Sequence, residues 1–103
     1  MEQQNIDLIM GIGPTVQFAA DVSKTIRVGT IKQIKEVAAI YNSGIYRIKP
    51  AVSVAKEEES ETMVSNWVEI LNMICIDGFT REEFDNSIPE LMESAVDRFL
   101  YGQ

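Results

Sequence analysis

The sequence predicts a small, mainly α-helical domain, and three observations carry that prediction. Apolar residues recur at helical spacing over 30–42, 64–75 and 91–100. Helix-start residues (Thr30, Thr80, Ser87) and helix-stop residues (Gly44, Gly78, Gly102) punctuate the same stretches. The chain has 103 residues, which suits one domain around one core. Residues 15–28 read two ways, as a short N-terminal β-hairpin or as helix, so an α+β fold is the alternative.

The first fourteen residues read as an N-terminal arm, and 15–103 as the single domain. Ile6, Leu8, Ile9, Met10 and Ile12 make the arm apolar, and Gly11-Ile12-Gly13-Pro14 separates it from the domain. In 15–28, Val16, Phe18, Ala20 and Val22 alternate, as do Ile26 and Val28, with a turn expected over Asp21–Lys24. Phe18, Val22 and Ile26 also fit a helical stripe. The β-branched run in Thr25-Ile26-Arg27-Val28 favours the hairpin.

Residues 30–42 form a helix capped by Thr30, with Ile31, Ile34, Val37, Ala38 and Tyr41 on the inner face and Lys32, Lys35 and Glu36 on the outer. Asn42-Ser43-Gly44 stops it. Pro50 permits a helix to begin near it. Glu57-Glu58-Glu59-Ser60-Glu61 reads as a solvated loop or face, with Ser60 capping a helix that buries Val64, Trp67, Val68, Leu71, Ile74 and Cys75. One long helix from Pro50 to Ile76 is the alternative. Gly78 then caps its end. Thr80-Arg81-Glu82-Glu83 and Ser87-Ile88-Pro89-Glu90 both read as capping boxes. The last helix turns Leu91, Met92, Ala95, Val96, Phe99 and Leu100 inward.

Composition narrows the function. There is no histidine, the commonest general base and metal ligand at neutral pH. One cysteine, Cys75, excludes an intrachain disulfide and a cysteine-based metal cluster. The net charge is −7, spread as −2 over residues 1–14, +5 over 15–56 and −10 over 57–103. The basic middle and acidic end either neutralise one another across the fold or leave an acidic face for a basic partner. The overall sign argues against nucleic acid as a ligand. No stretch is long and apolar enough to suggest a membrane span, and the start of the sequence has no secretory signature. A cytoplasmic location is therefore expected.

Candidate chemical sites each have a plainer reading. Gly11-Ile12-Gly13 lacks the third glycine and the Lys-Ser/Thr of a phosphate loop, and reads as a hinge. Glu57, Glu58, Glu59 and Glu61, or Asp77, Glu82, Glu83 and Asp85, supply oxygen ligands, but Asp77-Gly78-Phe79-Thr80 breaks the calcium-loop spacing. Cys75 lies on an apolar stripe with no base beside it. Trp67, Phe79 and Phe99 read as core, and Phe84 as the aromatic residue left exposed. The reading is therefore non-enzymatic: no catalytic, cofactor-binding or metal-ligating residue is assigned. Contact with another protein is expected through Glu57, Glu58, Glu59, Glu61, Phe84 and Met92.

The layout from residue 15 onward resembles the small tail-assembly chaperones of tailed bacteriophages and the related baseplate-assembly factors. A β-prone stretch leads into a helix (Thr25-Ile26-Arg27-Val28-Gly29-Thr30-Ile31 to Val37). A second helix carries Ile74-Cys75-Ile76-Asp77-Gly78-Phe79-Thr80-Arg81-Glu82-Glu83-Phe84-Asp85, and a final helix comes after it. The Gly-Ile-Gly-Pro segment departs from that pattern. The resemblance implies no enzyme activity, a tape-measure or baseplate protein as partner, and a role during virion assembly in the host cytoplasm, with Met10, Met63, Met73 and Met92 as adaptable apolar residues. From charge alone, a small acidic inhibitor that occupies the basic nucleic-acid-binding surface of a host enzyme is the alternative. Self-association is also compatible with so apolar a small domain.

Overall fold

A computed structural model describes residues 9–42, 47–53 and 57–102 of the chain. Among the described residues Ile9 is helical, and two strands follow, β1 (Ile12–Ala19) and β2 (Val22–Arg27). Five helices come after them: α1 (Ile31–Tyr41), α2 (Ile48–Ser53), α3 (Glu57–Ile74), α4 (Arg81–Asp85) and α5 (Pro89–Tyr101). The fold is mainly α with one antiparallel β-hairpin.

Alternation wins over helical spacing in 15–28 because one face of the hairpin has a core to cover. Phe18, Val22 and Ile26 are buried, while Thr15, Gln17 and Ser23 face solvent. The turn is tighter than the sequence implies. It is the pair Ala20-Asp21, closed by Ala19 opposite Val22, rather than Asp21–Lys24. Two-residue hairpin turns favour residues with positive φ, and among the described residues only glycines have it. A register shift between Gln17 and Ala19 accommodates the difference. The Gln17 side-chain amide donates to the carbonyls of Ala19 (2.6 Å) and Ala20 (3.1 Å).

The expected break at Gly11–Pro14 is instead the start of β1. Ile12, Gly13 and Pro14 are strand residues, with Ile12 opposite Arg27. Gly13 permits close pairing: a Cβ there would lie 2.5 Å from the Ile26 carbonyl oxygen. Of the rest of the expected arm, residues 9–11 lead into β1 with Ile9 and Met10 exposed, and residues 1–8 lie outside the described residues.

Both edges of the hairpin are engaged. Ile76 N–H donates to the Thr25 carbonyl at 2.9 Å, and Thr25 N–H donates to the Asp77 carboxylate at 3.2 Å. The Arg27 Nε donates to the Met73 carbonyl at 3.1 Å. On the far side, Ile88 N–H donates to the Phe18 carbonyl at 2.9 Å. The hairpin is thus bracketed by the end of α3 and the start of α5.

Thr30 caps α1 in a complete capping box with Gln33. The helix ends on Asn42; Ser43 and Gly44 of the expected stop lie outside the described residues. Its inner stripe is narrower than the sequence implies, since Val37 is buried but Ile31 is 75% exposed. Ser60 lies inside α3, which the structure describes from Glu57, and so does not cap it. The three glutamates belong to the helix, where the N-terminal field favours acids. The alternative of one helix from Pro50 to Ile76 turns on residues 54–56, which lie outside the described residues.

α3 is the centre of the core. It buries Val64, Trp67, Ile70, Leu71 and Ile74, and α1, α2 and α5 all pack on it. Ile70 is a core residue that the sequence reading omitted. Gly78 takes the left-handed conformation (φ 81°) that turns the chain after α3. Thr80 and Glu83 form the predicted capping box of α4. The second predicted box does not form. Ile88 is the N-cap of α5, Pro89 opens the helix, and the Ser87 hydroxyl instead donates to the Glu83 carbonyl at 2.6 Å. Gly102 caps α5 with φ 72°. α5 buries Met92, Ala95 and Val96, half-buries Phe99 and Leu100, and leaves Leu91 at the surface.

Candidate functional site

Much of the opposing charge in the two halves meets across the fold. Lys24 of β2 lies 2.7 Å from Glu83 of α4, and Arg47 lies 3.2 Å from Glu93 of α5. Lys49 of α2 pairs with Glu90. Glu93 also accepts from the Ile48 backbone N–H at 2.7 Å, which holds the start of α2 against α5. The Lys24 ammonium and the Thr80 backbone hold the Glu83 carboxyl below its ordinary range. These ion pairs dock helices onto one another and leave two surfaces with a chemistry of their own.

The first surface is acidic. Glu57, Glu58 and Glu59 are exposed in the first turn of α3 and make no ion pair with any described residue. Glu61 differs: Arg81 reaches both its oxygens, at 3.0 and 3.2 Å, and lowers its pKa. Arg81 also contacts Asp85 at 3.3 Å. A shallow cleft of about 380 Å³ lies next to this network, between α3 (Ser65, Val68, Glu69, Asn72) and the Phe79–Arg81 segment. Its rim is fixed by the Asn72 side-chain carbonyl, which accepts from Phe79 N–H at 3.0 Å.

The second surface is basic and apolar, and it begins where β2 passes into α1. Val28, Gly29, Ile34 and Phe99 floor a groove of about 250 Å³, with Arg27 and Arg98 in its lining. Gly29 lets the Phe99 ring approach closely: a Cβ there would lie 2.5 Å from Phe99 Cζ, so the ring would have to shift. The outer face of α1 continues the surface as a second shallow depression of about 430 Å³, lined by Ile31, Lys32, Lys35, Glu36 and Ala39. The sequence reading assigned Ile31 to the core and the two lysines to a solvated face. The signal in the sequence was the +5 charge of residues 15–56, with Lys32 and Lys35 following Ile31 within two turns.

Two expected contact residues offer no surface. Phe84 is 5% exposed and Met92 1%. α4 has five residues, and Phe84 is the one it buries. Met92 falls on the inner stripe of α5. Cys75 is 1% exposed alongside β2, in a β-bridge with Ile26, and burial pushes its thiol up to about 12, so it is held as the neutral form. Among the described residues no three Cys, Asp or Glu side chains are placed to hold a metal ion, and no helix is long and apolar enough to cross a membrane. Comparison with known proteins finds no family model, no characterised sequence and no solved structure that matches the chain.

Proposed function

We propose that the protein is a non-enzymatic protein-binding and assembly factor, of the kind represented by phage tail-assembly chaperones and baseplate-assembly factors. Its partner is a tail tape-measure or baseplate component, met in the host cytoplasm. One observation carries the reading. Large apolar side chains stand outside a well-filled apolar core: Ile9 is 85% exposed, Ile31 75%, Met10 68% and Tyr101 65%. Exposed apolar groups of this size, where they gather on one surface, are the ones that meet another apolar surface. The order of elements supports the phage assignment, since a hairpin leads into a helix and a long helix ends in the Asp77–Glu83 turn before a final helix.

The test is capture of the full chain's partner from infected cells by cross-linking, with identification by mass spectrometry. A tail or baseplate protein that is lost from the Ile31→Asp variant is the expected result. A host enzyme of nucleic-acid metabolism, retained by Ile31→Asp but lost from Glu57→Gln/Glu58→Gln/Glu59→Gln and at high salt, would replace this reading with the acidic-inhibitor alternative. The exposed first turn of α3 is the surface that alternative requires.

A further inference from the structure

We propose that the outer face of α1, together with the groove floored by Ile34 and Phe99, is the docking site for an acidic amphipathic helix of a partner protein. The inference rests on the protein-binding reading above and names the chemistry of the partner.

Geometry is the first support. Ile31, Lys35 and Ala39 succeed one another at four-residue spacing along the exposed side of α1. Ala39 is small and exposed, so the row dips beyond Lys35 and offers a seat for a ridge of another helix. Ile34 lies one turn from Ile31 and carries the apolar surface round to Gly29 and Phe99. α1 has eleven residues and is about 16 Å long, which matches three turns of a partner helix.

Charge is the second. Lys32 and Lys35 are exposed on the outer face of α1 beside one carboxylate, Glu36, while Arg27, which donates to the Met73 carbonyl, and Arg98 line the groove next to it. This occurs in a chain of net charge −7. At physiological salt, charges beyond about 8 Å are largely screened, so the local sign and not the total governs what docks here. Basic side chains around an apolar strip fit a helix with acidic flanks and an apolar stripe. A polyanion would match the cations but leave Ile31 uncovered. A second copy would offer Glu57–Glu59, which form an acidic turn with no apolar residue among them. Docking head to tail in that way would build a ring or a filament of copies.

The probe is a fluorescein-labelled synthetic helix with leucine at positions i, i+3, i+4, i+7 and i+8 and glutamate on the remaining face, titrated with the full-length chain and followed by anisotropy. Two controls accompany it, a scrambled peptide and one with lysine in place of glutamate. The acidic amphipathic peptide should bind with micromolar affinity, and both controls at least tenfold more weakly. Lys32→Glu/Lys35→Glu and Ile31→Asp should each weaken binding tenfold or more, while Glu57→Gln/Glu58→Gln/Glu59→Gln leaves it unchanged. Ile31, Lys32 and Lys35 are all exposed, and acids in the first turns of a helix suit its dipole, so circular dichroism should show the fold retained. Absence of binding, equal binding of the charge-reversed peptide, or equal binding by the α1 variants would overturn the proposal. So would displacement of the peptide by an oligonucleotide, or a dimer in sedimentation that the lysine variant abolishes. The peptide assay uses no phage component, so its failure leaves the assembly reading standing, and failure of the capture experiment leaves the docking site standing.

Discussion

α1 and α3 are both amphipathic, yet they do different things with their apolar residues. α3 turns five fully inward, from Val64 to Ile74, while α1 buries only Val37 to that degree. The reason is position. α3 has α1, α2 and α5 around it, whereas α1 lies at the side of the domain against α3 and α5. A central helix has neighbours for its whole stripe; a peripheral one has neighbours for part of it and presents the remainder to solvent. Periodicity in the sequence is the same in both cases, so it reports that a stripe exists and not how much of it the domain covers.

Substitutions in the two helices should separate accordingly. Trp67→Ala removes the largest buried side chain of α3, which also meets Tyr41 edge to face at a centroid distance of 6.0 Å. Its loss should cost about 3–5 kcal/mol in urea unfolding. Should Trp67→Ala cost less than about 1 kcal/mol, α3 is not the organising helix and the contrast with α1 collapses. Gly13→Ala tests the hairpin next. The added methyl meets backbone, the Ile26 carbonyl, so the strands must separate and about 1–3 kcal/mol should be lost.

The elements that were legible in the sequence are those fixed by local chemistry. Thr30 and Thr80 cap helices as their spacing implies, and Gly78 and Gly102 take the left-handed conformation that ends them. Elements that depend on distant packing were read less well. Ser87 has the pattern of a cap, but its hydroxyl bonds the Glu83 carbonyl while Ile88 is held to β1 through Phe18. Phe84 sits after an acidic pair in a five-residue helix, where local sequence gives no sign that the side chain joins the core cluster. Exposure was half legible: Glu57, Glu58, Glu59 and Glu61 lie at the surface as their charge implies, but the exposed Ile31 is indistinguishable in sequence from a core isoleucine.

An intermediate effect sharpens the comparison from the side of charge. Lys24 joins the hairpin to α4 through Glu83, and its ammonium lies 5.9 Å from the centre of the Phe79 ring. Because the folded state lowers the Glu83 pKa, the unfolded chain binds that proton more readily. The stabilisation is therefore present above the ordinary carboxyl value of 4.5 and is lost as pH falls through the lowered folded value. Lys24→Met should flatten the fall in urea midpoint between neutral pH and the acid range. An unchanged acid slope in the variant would show that the pair does not link the hairpin to the helices. Thr80→Ala, which removes the cap holding the same glutamate, should cost about 1 kcal/mol.

The smallest expected effect is the most informative about α1. Ile31 is 75% exposed, so replacing it with serine removes apolar surface that folding scarcely covers. Stability should change by no more than about 0.5 kcal/mol, as for other surface sites. Ile34 is its counterpart one turn on. Half-buried against Gly29 and lining the groove with Phe99, it should cost measurably more when replaced by the same residue. Equal losses at the two positions would mean that Ile31 is packed in solution and the face of α1 is already covered. A small loss at Ile31 with a clear loss at Ile34 is what a peripheral helix with one side turned outward requires, because stability then tracks burial within the domain and the outer isoleucine contributes only when something else is placed against it.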